Sequence, residues 1–177
     1  MSTLALDEAL RRAVRDIPDF PKPGIMFKDI TPALADAALF RAMTDAMAAP
    51  FADAGITHVV GIEARGFILA APIAQRLGAG FVPVRKPGKL PHRVQRVEYA
   101  LEYGSDVLEM HEDGVGVESV VLVADDVLAT GGTASATCRL VEATGARVAG
   151  CAFLIELGFL NGARVLGART VRSVLRY

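Results

Sequence analysis

Cysteine is nearly missing from this chain, with two residues in 177, Cys138 and Cys151. The dense disulfide framework of a small secreted domain is therefore excluded. Both cysteines fall in segments that read as buried helix and strand, so free buried thiols are expected. Histidine is almost as scarce. His58, His92 and His111 have neither zinc-ligand spacing nor a G-x-S-x-G elbow to complete a serine triad. An excess of one charge is lacking too: 19 Lys and Arg against 20 Asp and Glu leave a net charge of -1. No bulk attraction to nucleic acid or an anionic membrane follows, and any bound anion must be held by local arrangement. No run reaches the roughly 18 to 20 uninterrupted apolar residues of a membrane span. The opening MSTLALDEALRRAV puts Asp7 and Glu8 where a signal peptide needs an apolar core. It predicts instead an amphipathic helix capped by Ser2 or Thr3, in a cytoplasmic protein. Linkers, low-complexity tracts and internal repeats are also missing. The composition, 52% hydrophobic and 22% charged, predicts a globular chain forming a single domain over residues 1–177, with a small hood contributed by about 1–35.

The pattern of elements predicts an α/β fold, a mainly parallel twisted sheet flanked by helices. A first helix is expected over 4–17, then an irregular turn at 18–24, where three prolines and a glycine occur in seven residues. Leu39, Met43, Met47 and Phe51 recur every four residues inside a second helix, 36–54. Strands are expected at 57–62, 81–85, 119–125 and 147–156, and helices at 66–77 and 132–144. Residues 86–97 read as a basic connection, followed by a hairpin of strands 98–103 and 106–111 turning at Gly104-Ser105.

The informative stretch is Val120-Val121-Leu122-Val123-Ala124-Asp125-Asp126-Val127-Leu128-Ala129-Thr130-Gly131-Gly132-Thr133. A buried strand ends at two adjacent carboxylates, then a small glycine-rich turn leads into a helix. Backbone N–H groups at a helix N-terminus attract phosphate, and glycines let the backbone approach it closely. Thr130 and Thr133 add hydroxyl donors, although an ordinary turn with Thr130 as N-cap has the same letters. The spacing of a GxxxxGK[ST] loop is absent. Asp125 and Asp126 repel each other unless something offsets their charge. Acceptor-only carboxylates suit the vicinal hydroxyls of a ribose or a hydrated Mg²⁺. A second anion site is suggested at Glu63-Ala64-Arg65-Gly66, where a strand gives way to a helix and Arg65 offers a charged fork.

The stretch 121–133 resembles the phosphoribosyl pyrophosphate (PRPP) signature of the type I phosphoribosyltransferases, and its wording is closest to the adenine phosphoribosyltransferases. Four further segments agree, in order and at family spacing across about residues 14–157. They are Phe20-Pro21-Lys22-Pro23-Gly24-Ile25-Met26-Phe27-Lys28-Asp29-Ile30-Thr31-Pro32, Glu63-Ala64-Arg65-Gly66-Phe67, Arg85-Lys86-Pro87-Gly88-Lys89-Leu90-Pro91 and Leu101-Glu102-Tyr103-Gly104. The resemblance implies a purine-salvage enzyme that joins adenine to PRPP, giving AMP and pyrophosphate.

Residue by residue, the resemblance implies that Ala129, Thr130, Gly131, Gly132 and Thr133 hold the ribose 5-phosphate, and that Asp125 and Asp126 hold the ribose hydroxyls. Glu63, Ala64, Arg65, Arg85, Lys86 and Lys89 would hold pyrophosphate, with Glu63–Ala64 the place of a non-proline cis peptide. Phe27 and Leu157 would sandwich the adenine, whose edge the backbone of Met26 and Lys28 would read. Glu102 is the implied proton carrier, and Tyr103 closes a flexible lid of about 86–103. Catalytic roles thus fall to Glu102, Arg65, Asp125 and Asp126. Mg²⁺ is the implied cofactor, held mainly by PRPP oxygens and water near Asp125, with no direct protein ligand expected. A homodimer is implied by the arginine at position 85, which in the family reaches a neighbouring subunit's site. The approach Gln95-Arg96-Val97 departs from the family's serine-containing lid. Two other readings share the PRPP site: a phosphoribosyltransferase for guanine, xanthine or orotate, and a PRPP-sensing regulator without chemistry. The Phe27 segment and Leu101-Glu102-Tyr103-Gly104 argue against the first, and the short first helix, too small for a DNA-binding module, against the second.

Overall fold

The computed structural model describes residues 3–100 and 105–177. They fall into two compact units, Met1–Ala46 and Met47–Tyr177.

The first unit opens with α1 (Thr3–Ala13), which buries Leu6 and Leu10. The expected helix over 4–17 stops four residues early, and Arg15–Ile17 forms the short strand β1 instead. Pro18 explains the change, because its ring disfavours helical backbone in the residue before it. β1 pairs antiparallel with β2 (Phe27–Asp29), with Arg15 opposite Asp29 and Ile17 opposite Phe27. These two strands form a two-stranded sheet. The short α2 (Thr31–Ala35) follows, then α3 (Ala37–Ala48), inside which the division between the units falls. α3 is shorter than the expected 36–54. Pro50 lies in the 3-10 turn Ala49–Phe51 that replaces its last expected turn.

In the second unit the strands are β3 (His58–Ile62), β4 (Gly80–Val84), β5 (Val94–Ala100), β6 (Ser105–His111), β7 (Val120–Leu128), β8 (Arg147–Glu156) and β9 (Val171–Arg176). Its helices are α4 (Arg65–Leu77) and α5 (Gly132–Ala143). Among the described residues, five strands form one parallel sheet in the order β4-β3-β7-β8-β9. This is the expected α/β architecture. β5 and β6 pair as an antiparallel hairpin, but β5 begins at Val94 rather than 98, and Ser105 opens β6 opposite Ala100 instead of lying in the turn. The rest of the expected strand and turn, 101–104, lies outside the described residues. β7 continues past the expected end at 125 to Leu128, paired with β8 as far as Glu156.

Strand alternation divides the packing. Val60, Val82, Val84 and Val121 pack with Ala136, Leu140 and Val141 of α5, and Ile62, Val123 and Phe153 with Ala134 and Cys138. On the opposite face α4 approaches closely at Gly61, where an added Cβ would lie 2.8 Å from that of Ala70. Cys138 and Cys151 are buried free thiols, as expected, with their sulfurs 3.7 Å apart. Among the described residues, no helix is long and apolar enough to cross a membrane.

β3 connects outward to β4 on one side, whereas the chain returns through the hairpin to β7 on the other side of β3. The carboxyl ends of β3 and β7 therefore flank a topological switch point, the place where open α/β sheets bind ligands. Gly61→Ala should wedge α4 away from this crevice, since a stiff Ala70 methyl cannot turn aside. A loss of about 1–3 kcal/mol is expected in urea unfolding, the usual cost of overpacking. An unchanged midpoint would show that the helix contact is looser than 2.8 Å suggests.

Candidate functional site

Two loops meet at the switch point. After β3 comes Glu63-Ala64, joined by a cis peptide bond, and then α4 begins at Arg65. After β7 comes Ala129-Thr130-Gly131, and then α5 begins at Gly132. Gly131, not Thr130, occupies the N-cap position of α5, in left-handed conformation with φ +84°. Such backbone is natural to glycine and unfavourable for other residues. The N-cap residues themselves, Ala64 and Gly131, supply no side-chain cap to α4 or α5. At α5 the first N–H groups are therefore available to an anion rather than occupied by an N-cap side chain.

Asp125 and Asp126 stand between these loops. The Arg65 guanidinium reaches Asp126 Oδ2 at 2.5 Å, and Asp126 is 6% exposed. Asp125 Oδ1 accepts a bond from the Asp126 N–H at 2.9 Å, rather than from the glycine loop. The same oxygen rests against the first turn of α4, 2.6 Å from where a Cβ on Gly66 would be. Burial, reinforced by the adjacent Asp126 charge, pushes the Asp125 carboxyl well above the usual carboxylate range.

A pocket of ≈ 350 Å³ lies here, lined by Glu63, Ala64, Arg65, Lys86, Asp125, Asp126 and Thr133, with Ile62, Tyr99 and Leu108 behind. A smaller one of ≈ 80 Å³ is lined by Asp125 and residues of the glycine loop, including Ala129, Thr130, Gly131 and Thr133. The structure thus gathers most of the predicted ribose, phosphate and pyrophosphate residues around one crevice.

The cations beside it are already paired with carboxylates. Glu63 takes Arg85 at 3.2 Å, the Lys86 N–H at 3.1 Å and the Lys89 ammonium. Burial opposes the ionisation of Glu63, but Lys89, the Lys86 N–H and Arg85 outweigh it and hold the carboxyl at about 2. The Lys86 ammonium pairs with Asp106, which also accepts from the Tyr99 hydroxyl at 3.2 Å. Tyr99 and Asp106 had no place among the predicted site residues. Their signal was the strand alternation of the hairpin, which puts Tyr99 opposite Asp106. Arg96, part of the departure from the family's lid, holds buried Glu109 at 2.7 Å, and Glu109 in turn accepts from the Gly88 N–H at 2.9 Å. His92 is exposed, 6.1 Å from the ring of His111.

The base-binding candidates are divided between the units. In the first, Phe27 opens β2 with its ring 5.0 Å edge-on to Phe20, Met26 is exposed, and Lys28 pairs with Asp16 at 2.6 Å. In the second, Leu157 follows β8 and donates its N–H to Leu128 O at 2.9 Å. Glu102 and Tyr103 lie outside the described residues.

A family model for the phosphoribosyl transferase domain matches residues 33–164. Adenine phosphoribosyltransferase of Myxococcus xanthus is 58% identical over 176 residues, 99% of this chain and 95% of the relative. The chain belongs to the adenine phosphoribosyltransferase family. Among solved structures, the Rhodothermus marinus member superposes with a TM-score of 0.95 at 53% identity, covering 98% of this chain and 99% of that one. The Saccharomyces cerevisiae member, solved with an imino-altritol bisphosphate and adenine, gives 0.91 at 38% identity, covering 97% and 99%.

The two perturbed acids have opposite linkage. Asp125 is raised in the folded chain, so its contribution to stability is full below the unfolded carboxylate range and is lost as pH rises through the folded value. Asp125→Asn should melt higher than the parent at neutral pH, and the advantage should fade below about pH 4, where the unfolded acid protonates. Equal melting at neutral pH would mean that the parent carboxylate is not strained by its surroundings. Glu63 is lowered, so its contribution is present above the unfolded range and lost as pH falls towards about 2. Glu63→Gln should therefore be the less stable protein at neutral pH, with the gap closing in acid. A gap that widens on acidification would contradict the pairing with Lys89 and Arg85.

Proposed function

We infer that the chain transfers the 5-phosphoribosyl group of PRPP to adenine, releasing pyrophosphate and forming AMP. One observation carries most weight: the glycine turn and N-terminus of α5 on one side, and the Arg65 guanidinium on the other, flank the Asp125–Asp126 pair. That is donor chemistry for two phosphate groups flanking acceptor chemistry for ribose hydroxyls. The activity for which the Myxococcus xanthus relative is named, and the adenine bound in the yeast relative, support the same reading.

In this reading Ala129, Thr130, Gly131, Gly132 and Thr133 cradle the 5-phosphate, and Asp125 and Asp126 accept from the ribose hydroxyls. Displacement at the anomeric carbon builds positive charge on the sugar and negative charge on pyrophosphate. Asp125 and Asp126 favour the first, while Arg65, Lys86, Lys89 and Arg85 favour the second. To reach the leaving group, these cations exchange Asp126, Asp106 and Glu63 for phosphate oxygens. Glu63 and Ala64 line the pyrophosphate loop, and Glu102 exchanges the purine proton. Closure of the lid over 86–103, with Tyr103, excludes water.

The donor set fits Mg²⁺ brought in with the substrate. The pocket presents the hard oxygens of Asp125 and Asp126, which suit a hydrated Mg²⁺. Mg²⁺ coordinated mainly by PRPP and water, near Asp125, would neutralise the leaving group.

Phe27 and Leu157 sandwich the adenine, and the backbone of Met26 and Lys28 reads its edge. About residues 1–35 serve as the hood in this reading, and the working form is a cytoplasmic homodimer in which Arg85 serves the neighbouring site.

A main-chain acceptor facing the adenine amino group would face an oxygen in hypoxanthine or guanine, leaving both acceptors unpaired. Incubation with PRPP and Mg²⁺ should therefore give AMP, with kcat/KM for adenine at least roughly a thousandfold above that for hypoxanthine or guanine. Comparable use of hypoxanthine would refute the base assignment and leave the ribose phosphate site standing. A chain that binds PRPP but forms no AMP would be a sensor.

A further inference from the structure

Gly162 has no assigned role, yet it touches the glycine loop more closely than any side chain could. A Cβ on Gly162 would lie 2.2 Å from the Ala129 carbonyl oxygen and 3.0 Å from the Gly131 nitrogen. Reciprocally, a Cβ on Gly131 would lie 2.4 Å from the Gly162 carbonyl oxygen. The two segments meet backbone on backbone, and each can do so because the other residue is glycine.

The supporting segment is itself held firmly. Gly162 begins the 3-10 turn Gly162–Leu166, preceded by Asn161 in left-handed conformation with φ +53°. At the far end of that turn Leu166 is 0% exposed and packs in the cluster containing Leu128, Ala134, Cys138 and Phe153. Leu128 immediately precedes the glycine loop, and Ala134 lies in the first turn of α5. One apolar cluster thus fixes both ends of the loop and the turn behind it.

We propose that Gly162 is a positioning residue for the ribose 5-phosphate, acting through the backbone of Ala129 and Gly131. The proposal rests on the reading of 129–133 as the phosphate cradle. Aligned N–H donors bind an anion only while their directions are kept, and a displacement of about an ångström is enough to impair a built site. The flexible glycines that let the backbone approach phosphate give the loop little stiffness of its own. Contact with Gly162 supplies it from outside.

The test is Gly162→Ala in the full chain, with Gly116→Ala as control, since a Cβ there meets no atom of the described residues within 4 Å. The 5-phosphate is remote from the bond that breaks, so its contacts are shared by ground state and transition state, and their loss raises KM with little change in kcat. KM for PRPP should rise at least about tenfold, while KM for adenine and kcat at saturating PRPP stay within about threefold. The melting shift produced by AMP should shrink, and that produced by adenosine should not. A turn with a purely structural role would lower the melting point of the ligand-free protein and leave the ligand shifts and the KM for PRPP unchanged. That outcome overturns the proposal. If the parent protein itself shows equal shifts with AMP and adenosine, the cradle reading fails first and takes this inference with it.

Hydrogen exchange on the parent protein keeps the question answerable if Gly162→Ala does not fold. AMP, relative to adenosine, should slow exchange in peptides covering 129–133 and also in those covering 161–163. Protection confined to 129–133 would overturn the role of Gly162.

Discussion

The ion pair between Arg65 and Asp126, 2.5 Å long, ties the first residue of α4 to the last turns of strand β7 across the switch point. Everything else in the crevice depends on that charge being answered. Two consecutive carboxylates at the end of a parallel sheet repel each other, and the surrounding core offers little dielectric screening. Arg65 answers the charge of Asp126, while Asp125, whose Oδ1 accepts the Asp126 N–H, has its carboxyl pushed upward by burial and by its neighbour. An ion pair of this kind contributes little net stability, because desolvation offsets the attraction. Its value is geometric: it fixes which carboxylate is spoken for and which one awaits a hydroxyl or a cation.

The same arrangement recurs on the cationic side. Glu63 gathers Arg85, Lys89 and the Lys86 N–H, Asp106 takes the Lys86 ammonium, and buried Glu109 holds Gly88 and Arg96. Carboxylates therefore organise the basic loop before any substrate arrives. A polyanionic ligand must exchange these internal partners for its own oxygens, so its affinity is a difference between two sets of ion pairs. Arg96 answers the charge of Glu109, which is almost wholly buried.

Much of this was legible in the sequence, and the failures have particular causes. β8 was readable to the residue, because its apolar run is long and bounded by Gly145 and Glu156. The start of α5 was legible from the glycine that opens it, and that of α4 to within one residue, since Arg65 opens it just before Gly66. β9 was missed: only Leu175 among its six residues is buried, so an edge strand left no alternation to follow. β1 was absorbed into the first helix, whose periodicity carries on until Pro18. The placement of Asp125 and Asp126 together near the end of β7 could be read from residue type and place, but the ion pairing that distinguishes them could not. That pairing is set by Arg65, which lies sixty residues away and reaches Asp126 only through the β3–β7 pairing. Gly162 was silent for a related reason: a close approach between remote backbone segments leaves no mark in composition or period.

With a net charge of -1, the chain has no general excess of cations to offer a substrate as anionic as PRPP. The structure meets the two halves of such a ligand with different physics. At α5 the donors are neutral N–H groups aligned by a helix and a glycine turn, with no side-chain counter-charge to displace. At α4 and the basic loop the donors are charged side chains, each already held by a carboxylate. A phosphate on the neutral cradle would be bound by fixed dipoles, at no expense of broken ion pairs. A pyrophosphate on the charged side would bind by exchange, and the protein carboxylates would reclaim their cations once it left. Such a division allows one end of the substrate to stay anchored while the other end departs. It follows from where the charges are paired before binding, and it needs no movement of the sheet that carries them.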